Sequence, residues 1–355
     1  MVDLQASLVA GDYVDPTVYA AEVERAMRAE WLPVCRADQI PSAGDRFAIT
    51  LCDRPVIAVR TAEGEIRVVA NVCAHRASRL VDDGPGHDDT LVCPYHRWAY
   101  RLDGSLIGAP LSEGADLDGA CLPLVRHVVW QGFVLANLSG SAPEPFAAVR
   151  GLDDEIAPWQ WSELVTVASR SFPSTWNWKV MVENWVECYH HLGTHRDSIE
   201  PFLPARATEV TANRGAPWVA MRVRGVEGAE GPREEWLPGL AADVARDLSV
   251  WSLFPFLMCG STSRHAFWLQ LEPVDATHHV VTWHLLLHPD QVARFTQEQI
   301  AAEMAMLEDV HREDMVACRR VQEGLASGFV AQPRLTALES PIADFQRWLG
   351  ARLVG

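Results

Sequence analysis

The feature that most constrains this chain is a pair of short Cys–His motifs. The first reads Cys73-Ala-His75 and the second reads Cys93-Pro-Tyr-His96, with seventeen residues between them. Two thiolates and two imidazoles can hold a [2Fe–2S] cluster, with the thiolates on one iron and the imidazoles on the other. A Cys2His2 zinc site is the alternative. The alternation of Cys and His favours the cluster, because zinc fingers group two Cys residues and then two His residues.

The residues around both motifs resemble those of Rieske proteins, in the segments 71–76 and 93–104. Respiratory-type Rieske proteins carry an additional disulfide between the two cluster loops, and its cysteines would fall at Ser78 and Tyr95. The absence of both cysteines favours the group of Rieske ferredoxins and ring-hydroxylating oxygenases. A ferredoxin needs only about 100 residues. Since this chain has 355 residues, we expect a second domain.

A further motif in residues 183–195 resembles the mononuclear iron motif of Rieske non-heme iron oxygenases. It contains an acid, two residues, a histidine, four residues and a second histidine. The resemblance implies that His190 and His195 are imidazole ligands of the iron. It also implies that Glu187 is the carboxylate that connects the mononuclear site to a neighbouring cluster.

The third ligand in this family is a carboxylate shortly before a Val-Gln-x-Gly-Leu stretch, which is Val321–Leu325 here. The resemblance therefore implies Asp314, with Asp309 and Glu313 as rival acids. Two histidines and one carboxylate would form a facial triad that leaves open positions on Fe(II).

The choice between His190 and His191 stays open on the residues alone. Residues four apart share a helix face, and this favours His191 together with His195. The family pattern favours His190. Gly193 offers a reason, because glycine commonly ends a helix and would place His195 beyond the helix end.

Composition excludes some partners. The net charge of −17 argues against nucleic acid, which requires a basic surface. The six cysteines outside the cluster motifs show no paired spacing, as is usual in a reducing cytoplasm. The segment Met1–Gln5 lacks the pattern of a signal peptide, and apolar runs such as Val250–Cys259 are shorter than the ~20 residues of a membrane span. We expect a cytoplasmic location and no membrane partner.

Three parts are expected along the chain: an N-terminal helix in residues 1–30, a Rieske domain in 31–142 and a mononuclear-iron catalytic domain in 143–355. Alternating apolar residues between Gly and Pro turns predict an antiparallel β unit for the second part. The third part mixes strands and helices, which predicts the α+β class, and the resemblance implies a helix-grip catalytic domain. Its main predicted elements are helices at 176–192 and 291–325, and strands at 164–173, 218–224, 251–262, 266–273 and 279–288.

The resemblance also implies an activity. The chain would be the terminal oxygenase component of a system that uses O2 and NAD(P)H electrons, supplied through a separate reductase with or without a ferredoxin. It would form a homotrimer in which the cluster of one subunit faces the mononuclear iron of the next, linked through Glu187. An electron-transfer Rieske protein with an inactive second site is the alternative from another class.

The length of the chain and the glutamate at position 187 favour a likeness to carnitine, glycine-betaine and stachydrine monooxygenases. A cationic N-methyl substrate would bind against aromatic faces, and its hydroxylation would release formaldehyde. Tryptophans on strands expected to line the pocket are Trp218, Trp251, Trp268 and Trp283. Core packing is the alternative role for these side chains. The competing substrate is an aromatic or alicyclic metabolite that is hydroxylated, dioxygenated or O-demethylated.

Two other features have no assigned function. The polar segment Gly225–Glu235 is a surface loop or a lid over the active-site mouth. The sheet region contains His265, His278, His279, His284 and His288. One of them is a candidate to touch the substrate, most are expected to be ordinary hydrogen-bonded or surface residues, and none is assigned a role.

Overall fold

The computed structural model describes residues 8–212 and 215–354. The chain divides into two compact units, a small unit of residues 28–142 and a large unit of residues 1–27 and 143–355. The segment Met1–Gln5, on which the expectation of no signal peptide rests, lies outside the described residues. Within the described ranges, no helix is both long and apolar enough to cross a membrane.

The small unit, all of which is described, contains three antiparallel sheets. Their strand orders are β1-β10-β9, β4-β3-β2-β5 and β6-β7-β8. The strands are β1 (Trp31–Arg36), β2 (Asp45–Leu51), β3 (Arg54–Arg60), β4 (Ile66–Ala70), β5 (Gly84–His87), β6 (Leu91–Val92), β7 (Ala99–Tyr100), β8 (Leu106–Gly108), β9 (Arg126–Trp130) and β10 (Phe133–Asn137). The predicted antiparallel unit is confirmed.

The large unit contains one seven-stranded antiparallel sheet in its described part, in the order β11-β17-β16-β15-β14-β13-β12. Its strands are β11 (Val165–Ser174), β12 (Thr208–Thr211), β13 (Trp218–Arg224), β14 (Asp247–Leu253), β15 (Leu257–Ser261), β16 (Ala266–Asp275) and β17 (His278–Leu287). Its helices are α1 (Pro16–Glu22), α2 (Phe146–Ile156), α3 (Trp178–Trp185), α4 (Pro289–Val292), α5 (Gln297–Ser327) and α6 (Ser340–Leu353). Helix α5 contacts β11, β17 and α3, and the predicted α+β class is confirmed.

Two predicted elements of the large unit are each interrupted once. The single strand predicted over 251–262 is a hairpin of β14 and β15, with Pro255 between them, where a proline has no N–H for a sheet ladder. The helix predicted over 291–325 is two helices, because Thr296 starts α5 anew. The Thr296 side chain accepts from the N–H of Gln299, and the Gln299 side chain accepts from the N–H of Thr296.

The helix predicted over 176–192 ends early, and this matters for the site. Helix α3 stops at Trp185, and a separate short 3₁₀ helix spans Tyr189–Leu192. The carboxylate of Glu187 accepts the N–H groups of Tyr189 and His190, so it caps the second helix. The prediction of one continuous helix is therefore wrong, whereas Gly193 does follow the end of the second helix and His195 lies beyond that end.

A buried ion pair joins α1 to α3. The only lysine of the sequence, Lys179, places its Nζ 2.7 Å from Oε1 of Glu22, and neither side chain is exposed. The indole N–H of Trp178 donates to the other oxygen of Glu22 at 2.8 Å. Burial lowers the pKa of Lys179 and raises that of Glu22, while their attraction opposes both shifts. Such a pair is costly to break from one side, because the remaining charge stays buried without a partner.

Replacing Lys179 with Met is expected to destabilise the large unit by about 3–5 kcal/mol, since the Glu22 carboxylate loses its cation. Thermal unfolding followed by circular dichroism would show a lowered midpoint, and Glu22→Gln/Lys179→Met should recover part of the loss. The control is Arg319→Met, which removes an exposed contact of 3.9 Å with Glu323 and should cost less than about 1 kcal/mol. A Lys179→Met shift no larger than that of the control would contradict this role.

Candidate metal centres and pocket

The two cluster loops of the small unit have the same backbone structure. In each, the N–H of the cysteine donates at 2.8 Å to the carbonyl five residues later, and the N–H four residues later donates back at 3.0 Å. This holds for Cys73 and for Cys93. The residue that closes each loop has a positive φ, 54° at Ala77 and 63° at Arg97. The two cysteines thus occupy equivalent positions in their loops, while the histidines follow two residues after Cys73 and three residues after Cys93.

Burial separates the two kinds of side chain in these loops. The thiols of Cys73 and Cys93 lie in the hydrophobic core of the small unit, and Cys73 Sγ is 3.2 Å from the hydroxyl of Tyr100. The imidazoles of His75 and His96 are exposed, and their ring centroids are 4.8 Å apart. The four side chains therefore form a buried thiol pair and an exposed imidazole pair.

This arrangement fits a two-iron cluster better than one zinc ion. A tetrahedral zinc site brings its ligand atoms within about 3.3–3.8 Å of one another. In the described structure these four residues are not among the groups of ligand atoms that converge closely enough to hold one ion. Burial raises the pKa of Cys93, but hydrogen bonds to its sulfur lower it overall, those from the N–H groups of Tyr95 and His96 first and those from Cys73 and Ser78 next. A thiolate is the form that binds iron.

The large unit brings together the three residues that the resemblance implies as ligands of a mononuclear iron. One ligand atom each of His190, His195 and Asp314 lies within 4.8 Å of the others. Oδ1 of Asp314 is 2.9 Å from Nε2 of His195 and 3.7 Å from Nε2 of His190. Asp314 projects from α5, and the two histidines lie on and just after the 3₁₀ helix. Two imidazoles and one carboxylate are a donor set suited to Fe(II).

Each of the two imidazoles is held by a carboxylate at its outer nitrogen. Nδ1 of His190 donates to Oε1 of Glu187 at 2.7 Å, and Nδ1 of His195 donates to Oε2 of Glu313 at 2.6 Å. A hydrogen bond at Nδ1 fixes the tautomer and leaves Nε2 free to bind a metal. The amide of Asn184 donates to Oδ1 of Asp314 at 3.3 Å.

The rival residues occupy other positions. Nδ1 of His191 donates to the carbonyl of Leu203 at 3.2 Å, and burial lowers the pKa of this histidine to about 3. Glu313 contacts His195 from outside the triad, and the side chain of Asp309 is 76 % exposed and paired with Arg312. None of the three rivals belongs to the group of three convergent ligand atoms in the described chain.

The charges within the triad favour the ionised form of Asp314, which is the form that binds a metal ion. Burial would raise the pKa of Asp314, but the hydrogen bond from His195 and the charge of His190 lower it. Burial would lower the pKa of His195, but Asp314 and then Glu313 raise it. Asp314 is therefore ionised readily, and His195 gains a proton more readily than a free imidazole.

A cavity of about 340 Å³ opens onto the triad. Its wall is mostly aliphatic and aromatic, and its large aromatic members are Trp185, Phe202, Phe267 and Trp283. Trp185 meets Phe267 and Trp283 edge to face at centroid distances of 6.0 and 5.9 Å. Gly260 lies under the ring of Phe267, where a Cβ would come within 2.5 Å of it. Among the described wall residues there is no Lys or Arg.

Of the four tryptophans expected on the wall, only Trp283 lies there. Trp218 packs on Gly151, and its indole N–H donates to the carbonyl of Ala148 at 2.9 Å. Trp251 meets Trp161 edge to face at 5.0 Å, and Trp268 stacks on His284 at 4.3 Å. The expectation is wrong for these three, which pack in the protein interior away from the pocket.

Three aromatic residues of the wall were missed in the sequence analysis, and these are Trp185, Phe202 and Phe267. Trp185 lies within the iron motif itself.

The segment Gly225–Glu235 contributes no described residue to the cavity wall. Its carbonyl at Glu230 accepts from the hydroxyl of Ser263 at 2.7 Å and from the indole of Trp236 at 2.9 Å. These contacts support the surface-loop interpretation over the lid.

Comparison with known families agrees with both motifs. Residues 161–355 match the family described as the ring hydroxylating alpha subunit (catalytic domain), and residues 30–123 match the Rieske [2Fe-2S] domain.

Similar proteins are named as oxygenases of quaternary ammonium compounds. The chain is 34% identical to the glycine betaine monooxygenase oxygenase subunit of Chromohalobacter salexigens, over 59% of this chain and 50% of that one. It is 30% identical to the carnitine monooxygenase oxygenase subunit of Escherichia coli, over 50% and 49%. These matches span about half the length of those relatives. A crystal structure of the quaternary ammonium Rieske monooxygenase CntA superimposes with a TM-score of 0.84 at 22% identity, over 97% and 94%, which shows a common fold.

Iron content should separate the ligands from their rivals. We expect about three irons per chain in the reconstituted protein, two in the cluster and one in the triad. The variants His190→Ala, His195→Ala and Asp314→Ala should fall to about two, whereas His191→Ala should stay at about three. Metal analysis by mass spectrometry with quantified sulfide would test this. Loss of one iron in His191→Ala, with none lost in His190→Ala, would contradict the ligand set.

Proposed function

The chain belongs to the family of ring-hydroxylating oxygenase α subunits, and we propose that it is a terminal oxygenase that hydroxylates or oxidatively demethylates a small organic substrate. The observation that carries this proposal is the apolar cavity of about 340 Å³ that opens onto His190, His195 and Asp314. A carrier with an inactive second site would not need three convergent ligands beside a cavity. Electrons would come from NAD(P)H through a reductase. The scattered cysteines of the sequence, which show no paired spacing, support a cytoplasmic location.

The residues present fit both metal groups. We propose that Cys73, His75, Cys93 and His96 hold the [2Fe–2S] cluster and that the triad holds Fe(II). When bound, these groups supply single electrons and a site for O2. Glu187 keeps the proton on Nδ1 of His190 and thereby aims Nε2 into the triad. The apolar wall excludes water from the carbon that reacts.

A cationic N-methyl compound is the substrate class that we favour. The aromatic faces of Trp185, Phe267 and Trp283 can receive an onium group by cation–π attraction, and the relatives named above act on such compounds. Hydroxylation of an N-methyl carbon inserts one oxygen atom into a C–H bond. The resulting hemiaminal then breaks its C–N bond, so that nitrogen leaves as the amine and the carbon as formaldehyde.

An uncharged aromatic or alicyclic substrate is the second candidate. The absence of Lys and Arg from the described wall favours it, because a carboxylate such as that of carnitine would be buried there without a cation.

The resemblance of the iron motif implies a role for Glu187 between subunits. We propose a homotrimer in which this carboxylate connects the triad of one subunit to the cluster of its neighbour. Its two oxygens already contact His190 and the 3₁₀ helix in one chain, so its geometry is fixed before assembly.

Glu187→Ala is expected to retain both metals but to slow turnover about 10–100-fold, the effect typical of losing a carboxylate that orients a ligand. Reoxidation of the reduced cluster by O2 with substrate bound, followed by visible absorption, should slow equally. The matched control is Glu313→Ala, which removes the same kind of orienting carboxylate, but on His195 and outside the proposed link. Its turnover should also fall, while its cluster should reoxidise faster than that of Glu187→Ala. Normal reoxidation in Glu187→Ala would contradict the link.

A single turnover of chemically reduced protein with O2 would test the reaction itself. The panel would contain choline, glycine betaine, carnitine, benzyl alcohol and benzoic acid, with formaldehyde and hydroxylated products measured by mass spectrometry. Formaldehyde from an onium compound is the result we expect. Hydroxylation of an aromatic compound without formaldehyde would replace the favoured substrate class with the second, and no product from any compound after iron loading would contradict the oxygenase proposal.

A further inference from the structure

His265 is a polar residue in an otherwise apolar part of the cavity wall. Its side chain is about nine-tenths or more buried, at 3% exposure, and it lines the cavity. Its Nε2 has no hydrogen-bond partner in the structure, whereas its Nδ1 faces a carboxylate oxygen of Glu303 at 3.1 Å. A buried polar atom without a partner costs free energy, so an unpaired Nε2 on a residue of the cavity wall points to a ligand contact.

The other uncharged polar side chains of the wall have protein partners. Asn184 donates to Asp314, Ser198 donates to Glu313 at 2.6 Å, and the hydroxyl of Thr262 accepts the N–H of Arg264 at 3.2 Å. Outside the triad and Glu187, the described wall residues with a buried unpaired polar atom are His265 and the indole nitrogen of Trp283. Only His265 of these two can accept a hydrogen bond.

A rigid turn positions His265. It lies in the tight connection from β15 to β16, where the N–H of Thr262 donates to the carbonyl of His265 at 2.9 Å. The imidazole lies 5.8 Å from the ring of Phe267, which stacks on Trp283 at 5.5 Å. The histidine therefore adjoins the aromatic surface that would receive a substrate.

Two charged groups behind the turn determine the tautomer. Oε2 of Glu303 lies 3.1 Å from Nδ1 of His265, and its other oxygen lies 2.5 Å from Arg264. Arg264 also contacts Glu235 at 3.0 Å. Burial would raise the pKa of Glu303, but His265 and Arg264 lower it. An ionised carboxylate facing Nδ1 retains the proton there and leaves Nε2 as an acceptor.

We propose that His265, oriented by Glu303, is the polar anchor of the substrate pocket and accepts a hydrogen bond from a hydroxyl or N–H group of the substrate. This inference rests on the proposed function and adds to it a substrate class: a molecule with a donor group and no carboxylate at that end. A carboxylate there would face a lone pair on Nε2 with Glu303 behind it, and would be repelled.

Matched pairs of ligands test the anchor. Binding of choline and of its O-methyl ether, and of benzyl alcohol and benzyl methyl ether, would be measured by calorimetry to the anaerobic, metal-loaded protein. The alcohol in each pair should bind about tenfold more tightly, because the ether has no donor. Glycine betaine should bind more weakly than choline. The variants are His265→Phe, His265→Gln and Glu303→Gln.

The ratio of the affinity for the alcohol to the affinity for its ether separates recognition by His265 from a merely structural effect of a substitution. His265→Phe should reduce this ratio to about one, and His265→Gln should restore part of it because its amide oxygen can accept a hydrogen bond. Glu303→Gln should also reduce the ratio, because the proton of His265 is then no longer held on Nδ1. The control is His279→Phe, a buried histidine whose Nδ1 donates to Trp176 at 2.9 Å and which does not line the cavity. It should leave the ratio unchanged.

Three results would overturn the anchor: equal affinities within both pairs, no measurable binding of either alcohol, or tighter binding of glycine betaine than of choline. Failure of the proposed function is distinguishable from this. If no ligand is oxidised while the ratio still depends on His265, the anchor stands without the reaction. If ligands are oxidised and the affinity ratio does not change when His265 is replaced, only the anchor proposal is contradicted.

Discussion

The carboxylate of Glu187 is the contact on which the candidate mononuclear site depends. One oxygen accepts the backbone N–H groups that begin the 3₁₀ helix, and the other accepts Nδ1–H of His190. The chain therefore leaves α3 before the first histidine, and the ring of that histidine is aimed by the same side chain. With Glu313 acting on His195 from the opposite side, both imidazoles present Nε2 towards Asp314, and no movement is needed for the three donors to converge.

Burial assigns different roles to the two candidate metal sites. In the small unit the thiols are buried and the imidazoles of His75 and His96 are exposed, so an electron can enter or leave through the imidazole side. In the large unit His195 and Asp314 are buried beside an apolar cavity, where a substrate can be kept from water. This division suits a chain in which one site transfers electrons and the other performs the reaction. His265 extends the second site with a group that can orient the substrate.

The two motifs could be read from the sequence because metal coordination restricts ligand types and spacings closely. The cluster residues and the α+β class followed from that pattern and its resemblance. Helical periodicity alone favoured His191, since it assumes one continuous helix. Periodicity does not show that the carboxylate of Glu187 caps a second helix two residues later. Strand alternation placed Trp218, Trp251 and Trp268 on strands but could not show which face the cavity occupies. His265 carried no signal, because a histidine in a turn acquires meaning only from Glu303, which is distant in sequence.

The most direct test of the account is anomalous diffraction from crystals of the metal-loaded protein, with data on both sides of the iron edge and the zinc edge. The account predicts iron signal at two places per chain. One is an elongated peak among Cys73, Cys93, His75 and His96, and the other is a single peak among His190, His195 and Asp314. Zinc signal at the first place, or a second peak held by His191 in place of His190, would contradict it.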